Sequence, residues 1–350
     1  MRTFDYSLLK EKKWDSEIIS LVAQIHEYKG RQEVYLKQKP EELDKLIEIA
    51  KRQSTEASNA IEGIRTTSTR LKQLCEEKTT PKNRDEQEIL GYRDVLNTIH
   101  ENYEYIPIKA NYILQLHRDL YKYTEKSIGG HFKTTQNVIA ATDEIGKEYV
   151  LFTPLAPYET PAAIDSICEN YNKIVANDEL DVLLLIPVYI HDFLCIHPFS
   201  DGNGRMSRLL TALLLYRSGY VVGKYVSIEN KIAKNKDLYY KALEECQEGW
   251  HENKEDVTTF IKYMLRIILA AYRDFEEMIE LVNEKIPAKE IVRRAVYSKI
   301  GKMSKNDITE LCPSIGTKSV ELALKQLVEE GVLIKKGAGR ATFYVRGDAK

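Results

Sequence analysis

Between Glu41 and Ala60, apolar Leu43, Leu46, Ile47, Ile49 and Ala50 recur at three- and four-residue spacing, which gathers them on one face of a helix. Pro40 stands just ahead and Gly63 just behind, residue types that open and close helices. Two further helices are predicted, from about Asp85 to His100 and from Lys109 to Tyr123. The texture then changes. Ile128-Gly129-Gly130-His131-Phe132 opens a segment with Thr134, Thr135, Val138 and Ile139, and Tyr149-Val150-Leu151-Phe152 follows the turn Asp143-Glu144-Ile145-Gly146. Two β-prone runs around a glycine-containing turn predict a hairpin, closed by Pro154 and Pro157. Helices resume near Pro161. Those from about Leu180 to Ile196 and from Gly204 to Tyr216 are apolar nearly all round, so both belong at the centre of a domain.

Past Asn283 the pattern changes once more. A short helix begins at Ser304-Lys305-Asn306-Asp307 and ends near Leu311, and the turn 312–316 leads to a longer helix from Thr317 to Glu330. That helix carries Val320, Ala323, Leu324 and Leu327 on one face. Gly331 to Ile334 and Ala341 to Val345, around Lys336-Gly337-Ala338-Gly339, read as a hairpin. Helix, turn, helix and β-wing in this order predict a winged helix. The fold class expected is therefore mainly α, with one small β-hairpin and a C-terminal winged helix. The expected division is an N-terminal helical region over 1–90, a core over 91–280 and the winged helix over 281–350.

Composition narrows the function classes. Of 350 residues, 43% are hydrophobic and 30% charged, as in ordinary globular domains. The longest apolar run, Val182 to Ile190, is far below the roughly 20 residues that span a bilayer. With no apolar signal core at the N-terminus, a cytoplasmic protein without membrane partners is expected. Five scattered cysteines with no CxxC pair fit neither a disulfide framework nor a zinc cluster, and predict reduced thiols. The net charge of −2 is unevenly spread: residues 285–350 hold fourteen Lys and Arg against seven Asp and Glu. A basic tail on an acidic body points to a nucleic-acid or acidic-protein contact at that end.

The chemistry concentrates in one loop. Asp201-Gly202-Asn203-Gly204 precedes an apolar helix, so its backbone N–H groups and the helix dipole together form an anion site. The glycines allow tight turns and close approach of a phosphate. Arg205 and Arg208, three apart in the first turn, suit phosphate oxygens. Asp201 is a hard oxygen ligand placed to hold Mg²⁺ against the same phosphates. His197, at the loop entrance, is placed to take a proton from a hydroxyl. A metallohydrolase built from His191, His197 and Asp201 is the weaker alternative, since His191 lies in an apolar helix beside Asp192.

His197 to Arg208, HPFSDGNGRMSR, resembles the HPFx[D/E]GNGRxxR signature of the Fic family at every specified position. The resemblance covers about residues 40–280 and implies a helical core that transfers AMP from ATP to a Ser, Thr or Tyr hydroxyl of a target protein. It makes His197 the general base and Asp201 the Mg²⁺ ligand. Gly202, Asn203 and Gly204 become the anion hole, and Arg205 and Arg208 the grip on the ATP phosphates. The hairpin from Gly130 to Phe152 is similar to the family's flap, which holds a target segment by strand addition. Lys133 departs from the arginine often found at that step. Tyr239 and Tyr240 fall where the family often packs adenine, and Gln247 where many members have Asn.

Ser58-Asn59-Ala60-Ile61-Glu62-Gly63 resembles the [S/T]xxxE[G/N] inhibitory motif of part of this family. The resemblance implies that Glu62 pairs with Arg208, takes the arginine needed by the γ-phosphate and tilts ATP into an unproductive pose. Ser58 and Glu62, four apart, share a helix face. Two readings stand beside this one: a regulator that binds DNA through the winged helix with the Fic part as sensor, and a Fic enzyme that uses another nucleotide or removes AMP. The former would use Lys318, Lys325, Lys335, Lys336 and Arg340, although Glu321, Glu329 and Glu330 share the same helix. Self-modification and a homodimer through the N-terminal helices complete the expectations.

Overall fold

The structure, a computed structural model, describes residues 2–38, 40–124, 128–142, 146, 148–283, 287–299, 301–312 and 315–347. Fourteen α-helices and five short strands occur among them. The mainly α expectation holds. The chain divides into two compact units, one made of Met1–Lys29 and Ala50–Ala271, the other of Gly30–Ile49 and Tyr272–Lys350.

In chain order the helices before the hairpin are α1 (Ser16–Gln38), α2 (Pro40–Ile61), α3 (Ser68–Cys75), α4 (Arg84–Asn102) and α5 (Ala110–Leu120). The helix predicted to reach Tyr123 stops at Leu120, where the Tyr121 N–H turns to the Arg118 carbonyl. Strands β1 (Ile139–Thr142) and β2 (Glu148–Phe152) pair antiparallel with an irregularity between Ile139 and Ala140. The first β-prone run is shorter than its residue types suggest. Thr134, Thr135 and Val138 stay outside the strand, because Lys133 and Asn137 beside them are bonded to the carbonyls of residues 196–199 instead. Residues 143–145 of the predicted turn lie outside the described residues.

Helices α6 (Thr160–Ala176), α7 (Val182–Ile196) and α8 (Asn203–Arg217) follow, then α9 (Ile228–Lys234), α10 (Lys236–Gln247) and α11 (Thr258–Asn283). Every residue of α7 from Leu183 on is buried, between α6 and α8, as an all-round apolar helix requires. Asp181 caps its start by accepting the Leu183 N–H at 2.9 Å. Each buried Leu or Ile contributes about 1.5–3 kcal/mol, so the loop between α7 and α8 is held between two helices buried almost throughout. No helix among the described residues is long and apolar enough to cross a membrane. All five cysteines are free, four of them buried.

The second unit contains α12 (Ala288–Tyr297), β3 (Met303–Ser304), α13 (Lys305–Leu311), α14 (Thr317–Glu329), β4 (Leu333–Lys336) and β5 (Phe343–Arg346). Val320, Ala323, Leu324 and Leu327 are buried, as their spacing predicts, against Val292 and Val296 of α12. Ser304 and Asp307 close a reciprocal capping box at the start of α13. The sheet order is β3-β5-β4. Two-residue β3 has no period to read in a sequence. Residues 313 and 314 of the predicted turn are outside the described residues.

Candidate active site

Helix α7 ends in a residue that is not glycine. His197 takes a left-handed conformation (φ 50°, ψ 62°), which costs a β-carbon-bearing residue energy and turns the chain sharply into the loop. Its Nδ1 lies 3.3 Å from the Leu194 carbonyl. A carbonyl only accepts, so Nδ1 carries the proton and Nε2 keeps the lone pair. Burial pulls the imidazole pKa down to about 4, and the Lys133 ammonium acts in the same direction, against the Leu194 carbonyl, Glu62 and Asp201. The ring is therefore neutral at physiological pH, as a base must be.

The loop is tied to α8 by its own amide. The Asn203 side chain accepts the Phe199 N–H at 2.9 Å and donates back to the Phe199 carbonyl at 2.8 Å. Gly202 (φ 83°) opens α8 from the left-handed region, and a β-carbon there would come 2.9 Å from the Tyr121 hydroxyl. Behind the loop, the His117 ring stacks on Phe199 at 3.6 Å. The Gly130 N–H donates to His117 Nδ1 at 3.0 Å, so Nε2 carries the proton and donates to the Asp201 carbonyl at 3.1 Å.

The two arginines part company. Arg205, buried, reaches Glu88 on α4 at 2.8 Å and the Tyr121 hydroxyl at 2.7 Å. Arg208, also buried, donates from Nε to Ser58 Oγ at 2.8 Å and from Nη2 to the Ser58 carbonyl at 2.9 Å and Glu62 Oε1 at 2.8 Å. Arg205 Nε and Nη1 and Arg208 Nη1 are buried with no hydrogen-bond partner among the described residues. Buried cationic N–H groups left open in this way call for acceptor oxygens. The Glu62 carboxylate also lies against the start of α8: a β-carbon on Gly204 would stand 2.3 Å from its Oε1. Glu62 thus occupies the end of the helix where an anion is favoured.

Asp201 is half-exposed, with Oδ1 accepting the Gly202 N–H at 2.7 Å and Oδ2 lying 3.6 Å from Arg84. No cluster of three or more His, Cys, Asp or Glu able to hold a metal ion occurs among the described residues. A single solvent-facing carboxylate fits a Mg²⁺ that keeps its waters and takes its other oxygens from a phosphate ligand. His191 is fully buried, near Cys195 and tilted against Phe260, so it offers nothing to Asp201.

Tyr239 is buried among Phe260 and Tyr263, while Tyr240 is partly exposed, its ring 5.4 Å from that of Tyr239. The Tyr240 hydroxyl is shifted upward chiefly by burial, and the charges of Glu62 and Arg208 both act on it. Lys236, ahead of both tyrosines on α10, donates to the Ile61 carbonyl at 2.7 Å and so ties that helix to the end of α2.

Several site residues escape sequence reasoning. Lys133 and Asn137 bond to the loop backbone from the hairpin side. One turn before Ser58, Ser54 donates to Glu229 Oε2 at 2.7 Å, and Tyr92 donates to Oε1 at 3.1 Å. The departure at Lys133 was the one sequence signal among them; the rest act over long separations and leave no local pattern.

Residues 107–215 match the family model described as Fic/DOC family. A Fido domain-containing protein of Dictyostelium discoideum is 26% identical over 147 residues, 41% of this chain and 98% of its own length. A probable protein adenylyltransferase of Aquifex aeolicus is 26% identical over 190 residues, covering 54% of this chain and 53% of its own. The protein adenylyltransferase Fic of Nematostella vectensis is 25% identical over 221 residues, 60% of this chain and 45% of its own. The chain therefore spans about half the length of those two adenylyltransferases. A crystal structure of a Fic family protein from Desulfovibrio desulfuricans superposes over 97% of this chain and 98% of its own, with a TM-score of 0.61 at 20% identity, a likeness of fold. The loop described above, from His197 to Arg208, lies within the residues that match this family model.

Proposed function

We propose that the chain transfers AMP from ATP to a Ser, Thr or Tyr hydroxyl of a protein, and that its own Glu62 restrains the reaction. The observation that carries this reading is the neutral His197 ring, with Nδ1–H held by Leu194 and Nε2 open, on the same loop as the buried arginine donors. Relatives named protein adenylyltransferase support the same chemistry at about 25% identity.

In this reading the acceptor hydroxyl gives its proton to His197 Nε2 as its oxygen attacks the α-phosphorus. The bond to the bridging oxygen breaks in line and pyrophosphate leaves. The amides of Gly202, Asn203 and Gly204, with Arg205 and Arg208, receive the phosphate oxygens. A Mg²⁺ at Asp201 would neutralise phosphate charge. Tyr240, more open than Tyr239, is the better candidate to face adenine. The β1–β2 hairpin, with Val138, Tyr149 and Val150 exposed, would hold the target segment as an added strand. Glu62 restrains the reaction by holding Arg208.

The test incubates wild type, Glu62→Gly and Glu62→Gly/His197→Ala with α-³²P-ATP and Mg²⁺, following label on the chain and on added lysate. Label that rises with Glu62→Gly and vanishes with His197→Ala supports transfer, base and brake together; no label in any variant overturns the reading.

We read residues 288–346 as a winged helix. Lys305 pairs with Glu321 at 2.7 Å and Lys325 lies 3.9 Å from Glu329, while Lys318, Lys335 and Lys336 form no ion pair among the described residues. The unit therefore keeps basic charge for an acidic partner, protein or DNA. Steeply salt-dependent DNA binding would decide for DNA.

A further inference from the structure

We propose that Lys133 and Asn137, at the foot of the hairpin, are positioning residues for His197, so that the element that would receive the target also holds the base. The proposal rests on the reading of His197 as general base.

Four successive carbonyls carry the argument. The chain from Ile196 to Phe199 leaves α7 through a left-handed residue, and its carbonyls lose helical partners there. All four are met from the hairpin side. Lys133 Nζ donates to the Ile196 carbonyl at 3.0 Å and the Lys133 N–H to the Pro198 carbonyl at 2.8 Å. Asn137 Nδ2 donates to the Phe199 carbonyl at 3.1 Å and, more weakly, to the His197 carbonyl at 3.4 Å. The two side chains are joined by Lys133 Nζ to Asn137 Oδ1 at 2.9 Å. A left-handed non-glycine residue persists only where its surroundings over-determine it, and these bonds do that.

The charge of Lys133 has its own consequence. The side chain is 3% exposed and has no ion pair among the described residues. A buried unpaired ammonium is costly, and burial accordingly lowers its pKa to about 8. For holding carbonyls alone a neutral amide would serve. The ammonium does more, because it opposes protonation of His197, which the Leu194 carbonyl, Glu62 and Asp201 all favour. Asn137 stands two residues before β1, so a strand added to the hairpin bears directly on the loop.

The experiment uses the full chain in the Glu62→Gly background with Lys133→Gln, Lys133→Arg and Asn137→Ala. His197 is titrated by NMR of its ring, assigned by its loss in His197→Asn, and AMP transfer is followed against pH. Lys133→Gln should raise the His197 pKa by about half a unit or more. It should shift the acid limb of kcat upward by the same amount, with the plateau kcat and KM for ATP within about twofold. Lys133→Arg keeps the charge and should restore both pKa and limb. Asn137→Ala should lower kcat with the limb unmoved. An unchanged His197 pKa in Lys133→Gln overturns the electrostatic role. A kcat within about twofold of the parent in Asn137→Ala overturns the positioning role. Should the parent transfer no AMP, the functional reading fails, while the NMR titration still decides the part played by Lys133.

Discussion

Glu62 Oε1 and Arg208 Nη2 stand 2.8 Å apart, and Ser58, one turn earlier on α2, takes two more of the same guanidinium's N–H bonds. Helix α2 therefore holds Arg208 through three contacts, of which only Glu62 is a charge partner. A hydrogen bond between charged groups is worth about 1.5–3 kcal/mol, or roughly ten- to a hundredfold in an equilibrium. Glu62→Gly should raise AMP transfer by a factor in that range. Ser58→Ala should raise it less, because the Ser58 carbonyl and Glu62 remain. Initial rates of label incorporation check both, and equal rates in wild type and Glu62→Gly would remove the brake from the account.

Gly204 and Glu62 compete for one space. A β-carbon at residue 204 would lie 2.3 Å from Glu62 Oε1 and 3.2 Å from its Cδ. Gly204→Ala must push the carboxylate aside, and should destabilise the chain by about 1 kcal/mol through the disturbed ion pair. In the Glu62→Gly background the same alanine meets only the flexible end of Arg208, Nη1 at 3.3 Å, and should cost much less. Urea melts of the two single variants and the double variant measure the coupling. Strict additivity would mean that Glu62 and residue 204 do not share that space.

Ser54 and Glu229 fasten the same helix one turn further back. Glu229 is buried, and its carboxylate accepts from Ser54 at 2.7 Å, Tyr92 at 3.1 Å and Ser227 at 3.3 Å. Removing one donor from a buried carboxylate costs about 1–3 kcal/mol. Ser54→Ala should loosen α2 without touching Arg208, raising both amide exchange in α2 and AMP transfer several-fold. Exchange and transfer both at wild-type levels would confine this cluster to ordinary core packing.

The part of the site that could be read in advance is the part compressed into consecutive residues. Twelve positions from His197 to Arg208 hold a histidine, a carboxylate, a glycine-rich turn and two arginines, and the apolar helices on either side show in their periods. What could not be read acts through single hydrogen bonds between distant positions. Asn137 and His197 are 60 residues apart, and Ser54 and Glu229 are 175 apart. The three-residue spacing of Arg205 and Arg208 predicts a shared side of the helix, yet their guanidiniums go to Glu88 and to Glu62. Spacing fixes where a long side chain begins; the charges around it fix where it ends. The β-prone Thr134 and Thr135 fail as strand residues for a related reason, since the neighbouring Lys133 and Asn137 are committed to loop carbonyls.

Acid should weaken this fold earlier than its carboxylates alone would require. Burial pulls His100 and His191 down to about 3, and His117 and His197 to about 4, from the ordinary 6.5. Between about 6.5 and 4 the unfolded chain binds protons at these four rings that the folded chain does not. Stability then rises with pH, so the contribution is whole above about 6.5 and drains away as pH falls through that window. Each ring adds a slope approaching about 1.4 kcal/mol per pH unit. Asp192, whose carboxyl is raised by burial, opposes them as one group against four. The urea midpoint should therefore be clearly lower at pH 5 than at pH 7, and His100→Gln should flatten that difference, since residue 100 then no longer titrates. Equal midpoints at the two pH values would mean that these rings are charged, or open to water, in the folded protein. A protonated His197 would then also be unable to accept the hydroxyl proton, so the same melt bears on the base as well as on the fold.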